Sequence, residues 1–285
     1  MIRASKTSLE AFMRCPRLYR YRYIDNKTNT GSNDILTFGQ EFHEGLEQFW
    51  HGKRQYQIPY DAFSDTDQAL ICDALLTSYL DRYSLDEVEL LECEVKHEIE
   101  MNGVTRVVIF DAVIKYRGRT LLVESKTTRS YIDEKSWYWN RLDLDVQTGL
   151  YVWAARELGY AVDGVLYDVS RVPKLKKGKV GRKEIFGETD EQFYDRVLAT
   201  IYKDQDKYHV RKLFNPDVDE VMLQVKMWED MLKLSDERGE FPKNHNSCQM
   251  YGRTCEFKPV CTGDTTLDNE RLYTIRKKKE TNATT

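Results

Sequence analysis

The chain has 285 residues, enough for one large domain or two small ones, and its 41% hydrophobic and 32% charged residues describe a water-soluble protein. No run of about 18 uncharged apolar residues exists and MIRASKTSLEAFMRCP lacks an apolar core, so a membrane span and a signal-peptide start are excluded and a cytoplasmic setting, in a bacterial or phage-infected cell, is expected. A net charge of −4 excludes a uniformly basic coat for nucleic acid, though not local basic patches.

Residues 5–14, SKTSLEAFMR, predict a helix with a serine or threonine cap ahead of Leu9, Phe12 and Met13, and Cys15-Pro16 ends or turns it. Next, Arg17, Arg20 and Arg22 alternate with Tyr19, Tyr21 and Tyr23, which fits either a basic aromatic binding face or a packed tyrosine stripe with its arginines in water. Residues 25–35 read as a polar loop. Phe38, Phe42, Leu46 and Phe49 share one stripe of a helix over 38–50, and His43 sits just off it, where a neutral imidazole serves as a structural residue or a metal ligand. Helical spacing resumes over 65–83. Glu92, Glu94, His97 and Glu98 then fall on a predicted first strand.

The stretch Val107–Lys126 is the chemical centre. Two β-rich runs, Val107–Lys115 and Thr120–Lys126, flank Arg117-Gly118-Arg119 and predict a hairpin. A loop of two or four residues sets Asp111 directly opposite Glu124, with Cβ atoms about 5 Å apart. Like charges so placed among Ile109, Phe110, Val113, Leu122 and Val123 require a cation. Lys126 projects from the face of Glu124, and a divalent metal between the carboxylates completes the neutralisation.

An aromatic connector, SYIDEKSWYWN, follows, then a helix near 143–158 that carries Gln147 and Tyr151 on one face and stops at Gly159. A strand at 162–170 completes a strand–helix–strand pattern, which favours a mixed α/β sheet. Residues 171–183 hold seven basic and no acidic residues; Lys174, Lys176, Lys177, Lys179, Arg182 and Lys183 make either a solvated loop or a clamp on a phosphate backbone. Thr189 to Gln192 opens a helix with a capping box, a strand lies near 208–214, and Pro216 starts a helix to about Arg238. The basic tail 266–285 is expected to be disordered.

In a reducing compartment six cysteines are read as metal ligands or buried thiols. Cys72 and Cys93 fall on helix and strand patterns as buried thiols, whereas Cys248, Cys255 and Cys261 crowd within fourteen residues. With Cys15 as a fourth ligand they suit tetrahedral zinc or an iron–sulfur cluster, and His245 is an alternative to Cys15 for zinc.

The pieces SKTSLEAFMRCPRLYRYRY, GQEFHEGLE, FDAVI, ESK, QTGLY and the cysteine trio, in this order over residues 5–262, make the chain resemble the RecB/AddB-like branch of the PD-(D/E)XK nuclease superfamily, including CRISPR-associated exonucleases that carry an iron–sulfur cluster. The resemblance implies a restriction-endonuclease-like α/β core, with a mixed central sheet flanked by helices, and one nuclease domain over 1–265. That domain divides into a helical lobe (1–92), a catalytic core (93–215) and a C-terminal helix with the cysteine cluster (216–265). It implies a Mg²⁺ or Mn²⁺ site from His43, Asp111, Glu124 and the Ser125 carbonyl, Lys126 beside the attacked phosphate, and Gln147 and Tyr151 as the QxxxY pair near DNA. It further implies that Cys15, Cys248, Cys255 and Cys261 hold a 4Fe–4S cluster joining the chain ends, although the gap between Cys248 and Cys255 is longer than in many relatives. The implied function is metal-dependent DNA cleavage, as an exonuclease in recombination, repair or phage DNA processing, with any unwinding borrowed from a helicase or recombination partner. The rival expectations are a catalytically silent nucleic-acid-binding module and a zinc-stapled structural protein.

Overall fold

A computed structural model describes residues 2–31, 34–178, 187–250 and 253–276. In chain order the elements begin with β1 (Ile2–Ser5), α1 (Lys6–Arg14), α2 (Pro16–Tyr19), β2 (Lys27–Asn29), α3 (Asp34–Trp50) and α4 (Thr66–Arg82). Then come β3 (Val88–Glu92), β4 (Lys96–Met101), β5 (Val104–Ile109), β6 (Ala112–Tyr116), β7 (Arg119–Thr128), α5 (Val146–Glu157) and β8 (Gly164–Arg171). The chain closes with α6 (Asp190–Tyr202), β9 (His209–Phe214), α7 (Val218–Arg238), β10 (Gln249–Met250), β11 (Arg253–Thr254), α8 (Lys258–Thr262) and β12 (Tyr273–Ile275). Two compact units result, each gathered from separated stretches rather than from the contiguous ranges 1–92, 93–215 and 216–265.

One unit comprises 33–94 and 110–217 and holds a five-stranded mixed sheet in the order β3-β6-β7-β8-β9. Strands β7 and β8 are parallel, which requires a crossover, and α5 supplies it. The Phe38, Phe42, Leu46 and Phe49 stripe of α3 packs with Leu75, Leu76 and Tyr79 of α4, with Phe193, Val197 and Ile201 of α6, and with Ala112, Ile114, Leu121 and Val123 of the sheet. Helices α3 and α4 approach closely because residue 45 is glycine; a Cβ there would collide with Leu76. A second cluster joins Tyr167 and Val169 of β8 to Ile132, Tyr138, Trp139 and Leu142 of the aromatic connector.

The other unit comprises 1–32, 95–109 and 218–285 and contains the sheet β1-β5-β4 and the pair β2-β12. Ser5 caps α1 through a reciprocal capping box with Ser8. Ala11, Leu18, Tyr21, Phe257 and Tyr273 form its apolar centre, with Cys15, Cys255 and Cys261 packed against them. Of the alternating arginines and tyrosines, Tyr19 and Tyr21 are buried, Arg17 donates to the Phe241 carbonyl at 2.7 Å and Arg22 pairs with Glu256. The tyrosines are packed as a stripe, but these two arginines are held by protein acceptors rather than standing in water. Arg106 and Glu229, each 1% exposed, form a bidentate pair at 2.6 Å on both branches.

Three sequence expectations change. The run Val107–Lys115 is not one strand: the chain leaves the sheet of β5 at Ile109 and joins another at Ala112, so the hairpin is β6–β7 alone. Nor do Glu92 to Glu98 form one strand. Its ladder breaks at Cys93–Val95, where Glu94 takes φ 52°, a left-handed conformation that no strand accommodates. The loop 25–35 and the tail beyond Thr265 each contribute a short strand, Lys27–Asn29 pairing with Tyr273–Ile275, and residues 277–285 lie outside the described residues. Among the described residues no helix is long and apolar enough to cross a membrane.

Candidate active site

The β6–β7 turn is the two-residue loop Arg117-Gly118, both with positive φ (48° and 77°), the type I′ geometry that matches strand twist. It fixes the register as far as Ala112↔Val123, where the ladder ends; Asp111 sits in the bend just before β6, close enough for its charge to raise the Glu124 carboxyl. The Asp111 Oδ2 accepts the Ser125 amide at 2.7 Å and lies 3.7 Å from the Nδ1 of His43. Helix α3 presents that imidazole because residue 43 lies beside the buried Phe42 on the edge of the stripe.

Glu124 is 2% exposed; its Oε1 accepts Gln147 Nε2 at 2.7 Å and pairs with the Lys126 ammonium. Its Oε2 is buried with no hydrogen-bond partner among the described residues. Tyr151, one turn after Gln147 on α5, sets its ring edge-on to Phe110 at 5.6 Å. Glu94 joins the group: with His43 and Asp111 it offers ligand atoms all within 4.8 Å of one another.

Burial dominates the electrostatics. It raises the Asp111 carboxyl, opposed by Lys126 and the Ser125 amide and aided by the charge of Asp168. It pushes Glu124 up to about 7, against Lys126 and together with Asp111. For Lys126 burial works downward, but Glu124 and Asp111 outweigh it and the ammonium titrates well above its ordinary range. Burial also raises the Tyr151 phenol, so it stays protonated. Three acids and one lysine leave excess negative charge in a desolvated site. A divalent cation fits the donor set of His43, Glu94 and Asp111, two hard carboxylates and one imidazole; Glu124 lies outside that group, and its Oε2 has no other partner among the described residues.

The remaining predicted residues divide. Cys15, Cys248, Cys255 and Cys261 all line one cavity of about 250 Å³ together with His245, and none is in a disulfide. No three of these thiols come within 4.8 Å of one another among the described residues. Burial raises the Cys255 and Cys261 thiols. Cys72 and Cys93 are buried as expected. Of the basic run, Lys174 and Lys176 are exposed and Lys177 pairs with Asp190, while Lys179, Arg182 and Lys183 lie outside the described residues.

Sequence reasoning missed Glu94 because its place on a presumed strand hid the left-handed kink. It also missed Asp168, whose signal was present: an acid inside the apolar strand GVLYDVSR. The Asp168 Oδ2 accepts the Tyr79 hydroxyl at 2.5 Å and the Arg211 Nε at 2.7 Å, a buried network on the strand beside Ser125.

The family model of the PD-(D/E)XK nuclease superfamily matches residues 3–262. The chain belongs to this superfamily. Glu124-Ser125-Lys126 has the (D/E)XK form of the superfamily name, and Asp111 is the acid across the hairpin, preceded by Phe110 rather than proline. No curated protein matches the chain. A candidate exonuclease from Eubacterium rectale, of known crystal structure, is 12% identical over 92% of this chain and 88% of its own, with a TM-score of 0.45. The crystal structure of SSO0001 is 15% identical over 72% of this chain and 77% of its own, with a TM-score of 0.29.

Proposed function

We propose that this PD-(D/E)XK protein is a metal-dependent deoxyribonuclease of the RecB/AddB-like branch, acting as an exonuclease in recombination, repair or phage DNA processing. One observation carries the reading: Asp111 and Glu124 lie close enough to couple electrostatically, with His43 against the first, Lys126 against the second and the Glu124 Oε2 unpartnered among the described residues. His43, Glu94, Asp111 and Glu124 would hold Mg²⁺ or Mn²⁺, with the Ser125 carbonyl as a further oxygen. When bound, the metal supplies Lewis acidity to a phosphoryl oxygen and makes water a better nucleophile at neutral pH. Lys126, cationic across the physiological range, neutralises charge growing on the non-bridging phosphate oxygens and is a poor general base. Gln147 holds Glu124 by its Oε1 and so leaves Oε2 directed elsewhere. Tyr151 braces Phe110 and thereby the residue that precedes Asp111. Unwinding, where the substrate needs it, comes from a separate helicase or recombination partner.

The same reading gives Cys15, Cys248, Cys255 and Cys261 a 4Fe–4S cluster as a structural staple. Its support is the single cavity that all four line.

The test is cleavage of end-labelled linear DNA with Mn²⁺. Asp111→Ala and Lys126→Ala each reduce it by roughly 10³-fold or more while the far-ultraviolet circular dichroism is unchanged; cleavage that survives either substitution refutes the assignment. An exonuclease leaves covalently closed circles intact.

A further inference from the structure

Strand β7 carries Glu124 and Lys126 and continues to Thr128, whose partner on β8 is Arg171. Side chains two residues apart on a strand share a face, and partners in a parallel pair share it too. Arg171 therefore projects from the same face of the sheet as Glu124 and Lys126, about 7 Å further along the strand. Its guanidinium carbon lies 4.1 Å from the centre of the Tyr131 ring and 5.6 Å from that of Tyr208. Its Nε is buried with no hydrogen-bond partner among the described residues.

Tyr131 is 62% exposed and Trp137, on the same connector, is 73% exposed, although neighbouring Ile132, Tyr138 and Trp139 are buried against β8. Lys174 places its ammonium 5.8 Å from the Tyr131 ring centre. The acids between the two rings, Asp133 and Glu134, line a separate cavity with Arg82, Lys207 and Lys212. A packing role explains the buried rings. It does not explain two aromatic side chains held in solvent, one of them, Tyr131, beside two cations that have no carboxylate partner among the described residues.

We propose that Tyr131, backed by Arg171 and flanked by Lys174, with Trp137 beyond it on the connector, is a stacking platform for unpaired bases, and that the preferred substrate is single-stranded DNA. The inference rests on the nuclease reading for its placement beside the scissile phosphate. Every base offers a π-face, so such a platform is indifferent to sequence, and the cations meet the phosphates between stacked bases. With a rise of about 3.4 Å per stacked nucleotide, the platform engages bases two or so steps from the bond being cut. A base inside a duplex has both faces covered by its neighbours and cannot use it.

The test separates binding from cleavage. With EDTA present, fluorescence anisotropy follows a labelled oligothymidylate of about 16 nucleotides and a duplex of equal length. Wild-type protein binds the single strand more tightly. Tyr131→Ala weakens that binding roughly tenfold or more with duplex affinity unchanged, Tyr131→Trp retains it, and quenching of tryptophan emission by the single strand disappears in Trp137→Phe. Single-strand affinity that Tyr131→Ala leaves within about twofold, or an equal loss on duplex, overturns the platform. If wild type cleaves and the Tyr131 result is negative, only the platform fails; if nothing is cleaved yet Tyr131→Ala abolishes single-strand binding, the nuclease reading fails and the platform stands.

Discussion

Glu124 makes the candidate site costly to fold, and the cost has a sign that can be measured. Its ordinary value is 4.5, and burial lifts it to about 7 even with Lys126 beside it. Between those limits the folded protein binds more protons at this group than the unfolded chain does. Stability from this group is therefore greatest at low pH and falls as the pH rises from 4.5 through 7. The difference between the two values, at about 1.4 kcal/mol per unit, corresponds to roughly 3 kcal/mol, most of which is recovered between pH 8 and pH 5. Glu124→Gln mimics the protonated acid and keeps an acceptor for Lys126. Metal-free Glu124→Gln protein should therefore be about 2 to 3 kcal/mol more stable than wild type at pH 8, with the gap nearly closed at pH 5. Urea unfolding with EDTA at the two pH values measures this. Excess Mn²⁺ at pH 8 should reverse the order, because binding to the folded state stabilises wild type and scarcely touches the variant. A variant that is less stable than wild type at pH 8 without metal, or a gap independent of pH, refutes the reasoning that desolvation governs Glu124.

Two other outcomes follow from buried groups in the second unit. Glu229→Gln strands the Arg106 guanidinium at 1% exposure and should cost about 3 to 5 kcal/mol in urea unfolding, whereas Arg106→Met combined with Glu229→Leu should recover most of that loss. A loss below about 1 kcal/mol in the single variant would show that water reaches the guanidinium. Anaerobically purified protein should be brown and contain iron and sulfide, and Cys248→Ser should lose both the colour and thermal stability. A colourless protein with stoichiometric zinc overturns the cluster.

Local rules made several elements legible. The cap ahead of Leu9, the capping box at Thr189, the stripe of α3, the stop at Gly159 and the short turn at Arg117-Gly118 all follow from short-range chemistry, and the structure has them. The register of β6 on β7 was legible for the same reason, since a turn's length fixes the parity of every pair beyond it, but the ladder stops at Ala112↔Val123, one residue short of Asp111 and Glu124. Glu94 was not legible, because a left-handed residue between two strand-like runs has no signature in side-chain periodicity. The switch at Phe110 from one sheet to another was equally silent, since either sheet accepts the apolar run.

What the sequence determined by itself was therefore the set of chemical groups and the local geometry that aligns two of them across a turn. Only the tertiary structure decided that α3 delivers His43, and the kink between β3 and β4 delivers Glu94, to Asp111, that Gln147 takes one oxygen of Glu124 and leaves the other without a partner among the described residues, and that four distant cysteines line one cavity. The physical reason is that alignment along a strand is set by bonds a few residues apart. Convergence from remote elements is set instead by how their apolar faces pack, and no local stretch contains that information.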